Sequence, residues 1–127
     1  MNVWRTDIRC YISPGNNNKI EDWYKALSAQ GRADADVFIA VMRKTTEWRM
    51  PDYRPHLQGT KGLGELRWKS ENRAHRLLGF FMKGSWYAVV GCIHKGRVYN
   101  PSDSLETAGR YKARIERGQV ETVEYDL

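Results

Sequence analysis

Basic side chains recur through a segment that otherwise has the composition of buried β-strands. Residues 64–96 are rich in aromatic and branched apolar residues, and yet they include Arg67, Lys69, Arg73, Arg76, His94 and Lys95. An unpaired charge inside a sheet costs several kcal/mol, so these groups must find partners or reach the surface. Arginine suits a phosphate ligand because its guanidinium stays charged and can bind two oxygens at once.

The net charge of the 127-residue chain is +6, and it is unevenly distributed. Residues 61–118 contain 12 Lys and Arg against 5 Asp and Glu, whereas residues 119–127 contain three acidic residues and no basic one. A field of one sign concentrates polyanions, so nucleic acid is the first partner to consider. A basic face that is merely solvated is the alternative that charge alone leaves open.

The composition predicts one soluble domain. The hydrophobic content is 41%, and no apolar run approaches the roughly 20 residues that span a bilayer. The first ten residues carry charges where a signal peptide would have its apolar core, so we expect a cytoplasmic protein. Cys10 and Cys92 lie in strand-like settings and fit buried free thiols of a reducing compartment.

The first half of the chain predicts one strand followed by two helices. Asn18 with Glu21 forms a capping-box pattern, and Gly31 is a stop signal for the helix that this pattern begins. The short link to the next helix favours a helical hairpin. The predicted elements are a strand over 4–13, a helix over about 19–30, a second helix capped by Asp34 or Asp36 and running to about residue 48, and a loop over 50–62.

The second half predicts three antiparallel strands and a final helix. Tight turns join the strands, and alternation in the first of them places Leu66 and Trp68 on one face and Arg67 and Lys69, with Glu65, on the other. The elements are strands over 63–70, 74–82 and 86–94, and a helix over about 101–117 that starts at Asn100-Pro101 and ends at Gly118. The order β-α-α-β-β-β-α predicts an α+β domain over 1–118, an antiparallel-rich sheet with its helices on one face, followed by an acidic tail over 119–127 of uncertain form.

Several short motifs stand in a specific order along this chain. The run from Gly62 to Ser70, Gly-Leu-Gly-Glu-Leu-Arg-Trp-Lys-Ser, precedes Arg76 in an aromatic strand, His94-Lys95 after a second apolar strand, and Asn100-Pro101 before a basic helix. Over roughly residues 35–118 this pattern resembles the phage-derived, HigB-like branch of the RelE/ParE toxin superfamily. The resemblance implies the toxin of a type II toxin-antitoxin pair. RelE-like members cut mRNA on the ribosome, and ParE-like members inhibit DNA gyrase.

The resemblance implies catalytic roles for three residues, each with an alternative. Arg76 matches the strand arginine that RelE-like nucleases place at the scissile phosphate, or it pairs with a carboxylate such as Glu65. His94 exchanges protons near neutral pH, or it is structural. Tyr99 matches a tyrosine used for base stacking or proton transfer, or it has neither role. His75 points to the face opposite Arg76 and is not expected to be catalytic.

The resemblance also implies a set of RNA-binding cations. Arg67 and Lys69 project two residues apart from one strand face as a phosphate clamp would, or they form an ordinary solvated face. These cations would line the sheet surface that the helices leave uncovered. The residues expected to bind RNA are Arg67, Lys69, Arg73, Lys95 and Arg97.

The implied chemistry needs no metal or other cofactor, because the substrate's own 2′-hydroxyl attacks the adjacent phosphate. Cys92 and His94 share a strand face but have no further ligand at metal-site spacing, so a zinc site is not predicted. The expected partners are a cognate helix-turn-helix antitoxin, the ribosome and mRNA, with no membrane. A gyrase inhibitor and a non-catalytic phage-type nucleic-acid-binding adaptor remain as alternatives.

Overall fold

Residues 5–127, which the computed structural model describes, form one mixed sheet with helices on both of its faces. The predicted α+β class is confirmed. Trp4, the first residue of the predicted first strand, lies outside the described residues. The elements are β1 (Asp7–Tyr11), α1 (Lys19–Ala26), α2 (Ala29–Arg43), β2 (Tyr53–Arg54), β3 (Gly64–Ser70), β4 (Arg73–Met82), β5 (Ser85–Lys95), β6 (Val98–Asn100), α3 (Ser104–Glu116) and β7 (Thr122–Glu124).

Strand β5 occupies the middle of the sheet. It pairs antiparallel with β4, parallel with β1 and antiparallel with β6, in the overall order β2-β3-β4-β5-β1-β7 with β6 beside β5. The three consecutive strands β3, β4 and β5 are antiparallel neighbours, as predicted. Glu71 and Asn72 form the turn between β3 and β4, and both have positive φ values, of 53° and 63°.

Helices α1 and α2 cover one face of the sheet. Ile20 of α1 and Ile39 and Met42 of α2 join a buried cluster with Leu66, Leu77 and Trp86 of the strands. The Asn18 side chain accepts hydrogen bonds from the backbone N–H groups of Ile20 and Glu21, which confirms the predicted cap of α1. Apolar side chains of one strand face thus meet the apolar stripes of both helices.

Helix α3 covers the opposite face, so the expectation that all helices lie on one face is wrong. Ala108 and Ile115 of α3 form a second buried cluster with Leu78, Phe80 and Val89. The physical reason is visible in the middle of β4, where the adjacent residues Leu77 and Leu78 point to opposite faces and are both fully buried. A strand that is apolar on both faces needs cover on both.

The boundary between the first two helices also differs from the prediction. Gly31 lies in the first turn of α2, and the hydroxyl of Ser28 caps this helix by accepting a hydrogen bond from the Gly31 N–H. Asp34 and Asp36 do not act as caps. They accept hydrogen bonds from the hydroxyls of Ser70 and Tyr24. A serine close to the glycine is therefore a better start signal here than the two acidic residues.

Pro101 does not begin the last helix, contrary to the prediction. Residues 98–100 turn back on β5 as β6, through a tight turn in which Gly96 has a φ of +64°, and α3 begins only at Ser104. The backbone of Asn100 pairs with β5, so the helix cannot begin there. Two further short strands appear: β2 within the predicted loop, and β7 within residues 119–127. β7 pairs with β1 and is followed by the buried Tyr125.

Cys10 and Cys92 are both free and buried, as the sequence predicted. Cys10 packs in the cluster under α1 and α2, and Cys92 packs in the cluster under α3, so the sheet separates them. Burial raises the pKa of each thiol to about 12, and both remain protonated at neutral pH. Among the helices of residues 5–127, none has the length and apolar character required to cross a membrane.

Close packing at Gly91 predicts a specific loss of stability. A Cβ at Gly91 of β5 would lie 2.3 Å from the Trp23 ring, so Gly91→Ala should displace α1 and lower the free energy of unfolding by roughly 1 to 3 kcal/mol. Gly109→Ala is the matched control, because nothing lies within 4 Å of a Cβ at that position of α3. It should stabilise the protein by about 0.5 to 1 kcal/mol. Urea unfolding of both variants measures the difference, and equal stabilities would contradict the packing.

Candidate nucleic-acid interface

Five of the predicted site residues share the sheet face on which α3 packs. In the strand register Arg67 of β3 lies opposite Arg76 of β4, and His94 of β5 lies opposite Tyr99 of β6. Lys69 belongs to the same face, because it is two residues from Arg67 along β3. The structure therefore brings the cations of β3 and β4 together with the histidine and the tyrosine at the end of the sheet.

The carboxylate of Glu65 is the centre of this group. It is 2% exposed, and its Oε2 atom lies 3.3 Å from the Nε of Arg67 and 3.3 Å from the Nε of Arg76. Its Oε1 atom accepts a 2.5 Å hydrogen bond from the hydroxyl of Tyr99. Side chains from three strands, β3, β4 and β6, thus converge on one buried carboxylate, which we call the Glu65 cluster: Glu65, Arg67, Arg76 and Tyr99.

Arg76 lies deep in the Glu65 cluster. It is 6% exposed, it pairs with Glu65, and its Nη1 atom donates to the carbonyl of His75 at 2.9 Å. Burial lowers the pKa of its guanidinium, and the Glu65 carboxylate acts in the opposite direction. Of the two alternatives for Arg76, the carboxylate pair is present in this conformation. Because Arg76 is nearly buried, a phosphate could bind it only after neighbouring side chains moved.

Arg67 and Lys69 are more accessible. The Arg67 side chain is 23% exposed, and its Nη1 atom contacts the thioether sulfur of Met50 at 3.2 Å. A thioether is a weak acceptor, so this end of the guanidinium has unused capacity for an anion. Lys69 is exposed and has no salt-bridge partner within the described part of the chain. These two residues are the cations of this face that a ligand would meet first.

Tyr99 and His94 lie against each other, with ring centroids 4.8 Å apart. Burial, followed by the hydrogen bond to Glu65 and the charge of its carboxylate, raises the pKa of Tyr99 far above its usual range. The Tyr99 hydroxyl is therefore protonated at neutral pH and donates to Glu65. It does not serve as a proton acceptor in this arrangement.

A cleft of about 480 Å³ opens beside His94, at the end of the β3–β4 and β5–β6 hairpins. Lys69, Arg73, His94 and Lys95 line it. Alternation directs Arg73 and Lys95 to the face opposite Lys69, but both stand at strand ends and still border the cleft. Arg97 is exposed in the turn between β5 and β6, and it is not among the residues that line this cleft.

His75 occupies the opposite face of β4 from Arg76, as predicted. It is 5% exposed and stacks on Trp68, with ring centroids 5.8 Å apart. Burial lowers its pKa, so it is neutral near pH 7. Within residues 5–127, no three His, Cys, Asp or Glu side chains converge as a metal site.

The central position of Glu65 is the feature that the sequence did not predict. Alternation had placed Glu65 on the face of Arg67, where it was considered only as a possible partner of Arg76. Its contact with Tyr99 could not be foreseen, because these residues are 34 positions apart and β6 was not predicted. The signal that was available is the Glu65-x-Arg67 spacing, which places a carboxylate next to a guanidinium on one strand.

Comparison with known proteins identifies a family. The family model described as Phage derived protein Gp49-like (DUF891) matches residues 22–113, which is more than two thirds of the chain. The matched region begins within α1, ends within α3 and contains every residue of the Glu65 cluster. No curated protein and no solved structure matches the chain.

The burial of Arg76 predicts that its replacement destabilises the protein. Arg76→Met leaves Glu65 buried with only Arg67 and Tyr99, and should lower the free energy of unfolding by roughly 2 to 4 kcal/mol. Arg73→Met, an exposed change of the same kind on the same strand, should cost less than about 0.5 kcal/mol. Urea denaturation compares the two variants. A small effect at Arg76 would mean that its pair with Glu65 contributes little to the free energy of unfolding. Loss of activity in an Arg76 variant therefore cannot by itself be assigned to catalysis.

Proposed function

The chain belongs to the Gp49-like phage-derived family, and from this premise we propose that it is the toxin of a type II toxin-antitoxin pair. We further propose that it belongs to the HigB-like branch of the RelE/ParE superfamily and cuts mRNA at the ribosome without a metal ion. The main support is the placement of Arg67, Lys69 and His94 on one sheet face, where Lys69 and His94 line an open cleft.

Cleavage of RNA without a metal requires three contributions from the protein. It must orient the strand so that a 2′-hydroxyl is in line with the adjacent phosphate, move protons, and neutralise the charge that develops on phosphorus. Rigid strands hold cations in fixed positions for the first and third of these tasks. Arg67 and Lys69 are two residues apart on β3, roughly 7 Å along a strand, which is close to the spacing of successive phosphates in RNA.

We assign proton transfer to His94. An imidazole can both accept and donate a proton, and His94 borders the cleft. Tyr99 flanks His94 and would orient it or stack on a base, since its own hydroxyl is engaged by Glu65. Arg73, Lys95 and Arg97 would extend the contact along the backbone of the RNA, and Arg76 would contribute charge from beneath the surface.

One observation favours a second candidate function. Arg76, the residue that matches the catalytic arginine of RelE-like nucleases, is occupied by Glu65 and nearly buried. A protein that uses this arginine for stability would keep the fold without the nuclease activity. Inhibition of DNA gyrase, as in ParE-like toxins, is therefore the alternative. A nucleic-acid-binding adaptor without catalysis is a further outcome that the assay below detects.

Mapping of mRNA ends after incubation with translating ribosomes tests the proposed function. The wild-type protein should produce new 5′ ends, and Arg67→Met should lower the cleavage rate on the order of 10²-fold, because it removes charge stabilisation at the phosphate. The matched control is Lys83→Met, which removes one exposed positive charge at the turn between β4 and β5, at the opposite end of the hairpin. Equal losses of cleavage rate in both variants would indicate that the net charge of the protein, and not the position of Arg67, determines the rate. Absence of cleavage together with inhibited supercoiling by gyrase would favour the alternative, and neither activity would favour the adaptor.

We also propose that an antitoxin encoded next to this protein covers the basic cleft. Glu121, Glu124 and Asp126 cannot mask it, because three carboxylates are too few and residues 122–124 are fixed at the far edge of the sheet beside β1. Co-expression with the neighbouring gene should give a stable complex in which Lys69 and Lys95 are protected from acetylation, whereas Lys83 is not. Equal modification of all three lysines, or no complex, would contradict this partner.

A further inference from the structure

We infer that Glu65 is a positioning residue of the candidate site, whose one carboxylate holds Arg67, Arg76 and Tyr99 in their working arrangement. The positioning role is inferred from the contacts within the free protein alone. Its consequence for RNA rests on the proposed function. Glu65 would not touch the substrate, because it is 2% exposed and lies beneath Tyr99 and the two arginines.

The Glu65 carboxylate orients three partners at once. A carboxylate has about four acceptor positions, and Glu65 uses its two oxygens for groups from three different strands. Fixing three long side chains through one buried group reduces the rotamers that each can adopt. Deletion of this group would therefore release all three side chains together.

The two arginines approach Glu65 without well-aligned hydrogen bonds. The Nε atoms of Arg67 and Arg76 both lie 3.3 Å from Oε2, but neither has a hydrogen bond of good geometry. The attraction is therefore mainly electrostatic. Glu65 holds the two arginines close together, and the partly exposed Arg67, whose Nη1 contacts the weakly accepting sulfur of Met50, remains able to bind a second anion.

Glu65 also lowers the positive charge at this point of the sheet. Two guanidinium groups opposite each other on paired strands repel, and like charges in such cross-strand positions are destabilising. One carboxylate between them reduces the net charge of the pair from +2 to +1. We expect this reduction in charge to lower the affinity for RNA, and we expect the fixed arginines to improve the alignment of the RNA. Removal of the negative charge should thus strengthen binding and weaken cleavage.

The test compares Glu65→Gln with Glu47→Gln. Both changes remove one negative charge, but Glu47 is 77% exposed and pairs only loosely with Arg49, at 3.8 Å. Binding is measured with an oligoribonucleotide whose 2′-hydroxyls are methylated, which cannot be cleaved by 2′-hydroxyl attack. Glu65→Gln should bind it at least threefold more tightly than the wild type and cut unmodified mRNA at least tenfold more slowly. Glu47→Gln should change each value less than twofold. Parallel losses of binding and cleavage in Glu65→Gln would overturn the inference, since they indicate general damage.

A second readout does not depend on RNA. The tyrosine ring signals of the free protein, followed by NMR as the pH is raised, should show Tyr99 titrating at lower pH in Glu65→Gln than in the wild type, because the charge that opposes its ionisation is gone. An unchanged Tyr99 titration would overturn the inference. If the wild type neither binds nor cuts RNA, the proposed function fails, and this titration still decides the role of Glu65.

Glu65→Asp keeps the experiment decisive if the glutamine variant does not fold. The shorter side chain preserves the charge but cannot reach all three partners. Binding of the methylated oligonucleotide should stay within twofold of the wild type, cleavage should fall at least tenfold, and Tyr99 should titrate at lower pH. Wild-type cleavage and a wild-type Tyr99 titration in this variant would overturn the positioning role.

Discussion

The burial of β4 on both faces is the constraint on which the rest of the structure depends. Leu77 and Leu78 are neighbours in the chain, point to opposite faces and are fully buried, so the sheet must carry a layer of helix on each side. Helices α1 and α2 supply one layer, and α3 supplies the other. Any charged side chain in this part of the sheet must therefore be paired, or must lie where α3 no longer covers the strands.

Arg76 meets this requirement by pairing with Glu65. Arg67 also pairs with Glu65 and is partly exposed to solvent. A guanidinium in a central strand would be strongly destabilising without a carboxylate beside it. The same carboxylate binds the hydroxyl of Tyr99, which comes from a strand on the other side of β5. The Glu65 cluster thus connects β3, β4 and β6 at this end of the sheet.

The ligand binding that we propose would therefore be coupled to stability in this region. The cations that remain available to a polyanion are Arg67 and Lys69 on the strand face and Arg73 and Lys95 at the strand ends around the cleft. They stand on backbone that the sheet holds rigid, which is an advantage for a site that must align a phosphate. The Gp49-like family model matches the segment of the chain that contains these cations.

The sequence by itself determined the local features of this protein. Turn residues and alternation predicted β3, β4 and β5 nearly to the residue, the cap at Asn18, and the opposite faces of His75 and Arg76, because all of these depend on neighbours in the chain. Only the tertiary structure decided that α3 packs on the second face, that residues 122–124 pair with β1, and that Tyr99 reaches Glu65. The pairing of residues 122–124 with β1 and the contact of Tyr99 with Glu65 join residues 34 or more positions apart, and local propensity carries no information about which distant partner a side chain will meet. The cations could be read from the sequence, but which of them is buried and which faces the solvent depends on how the strands and α3 pack together.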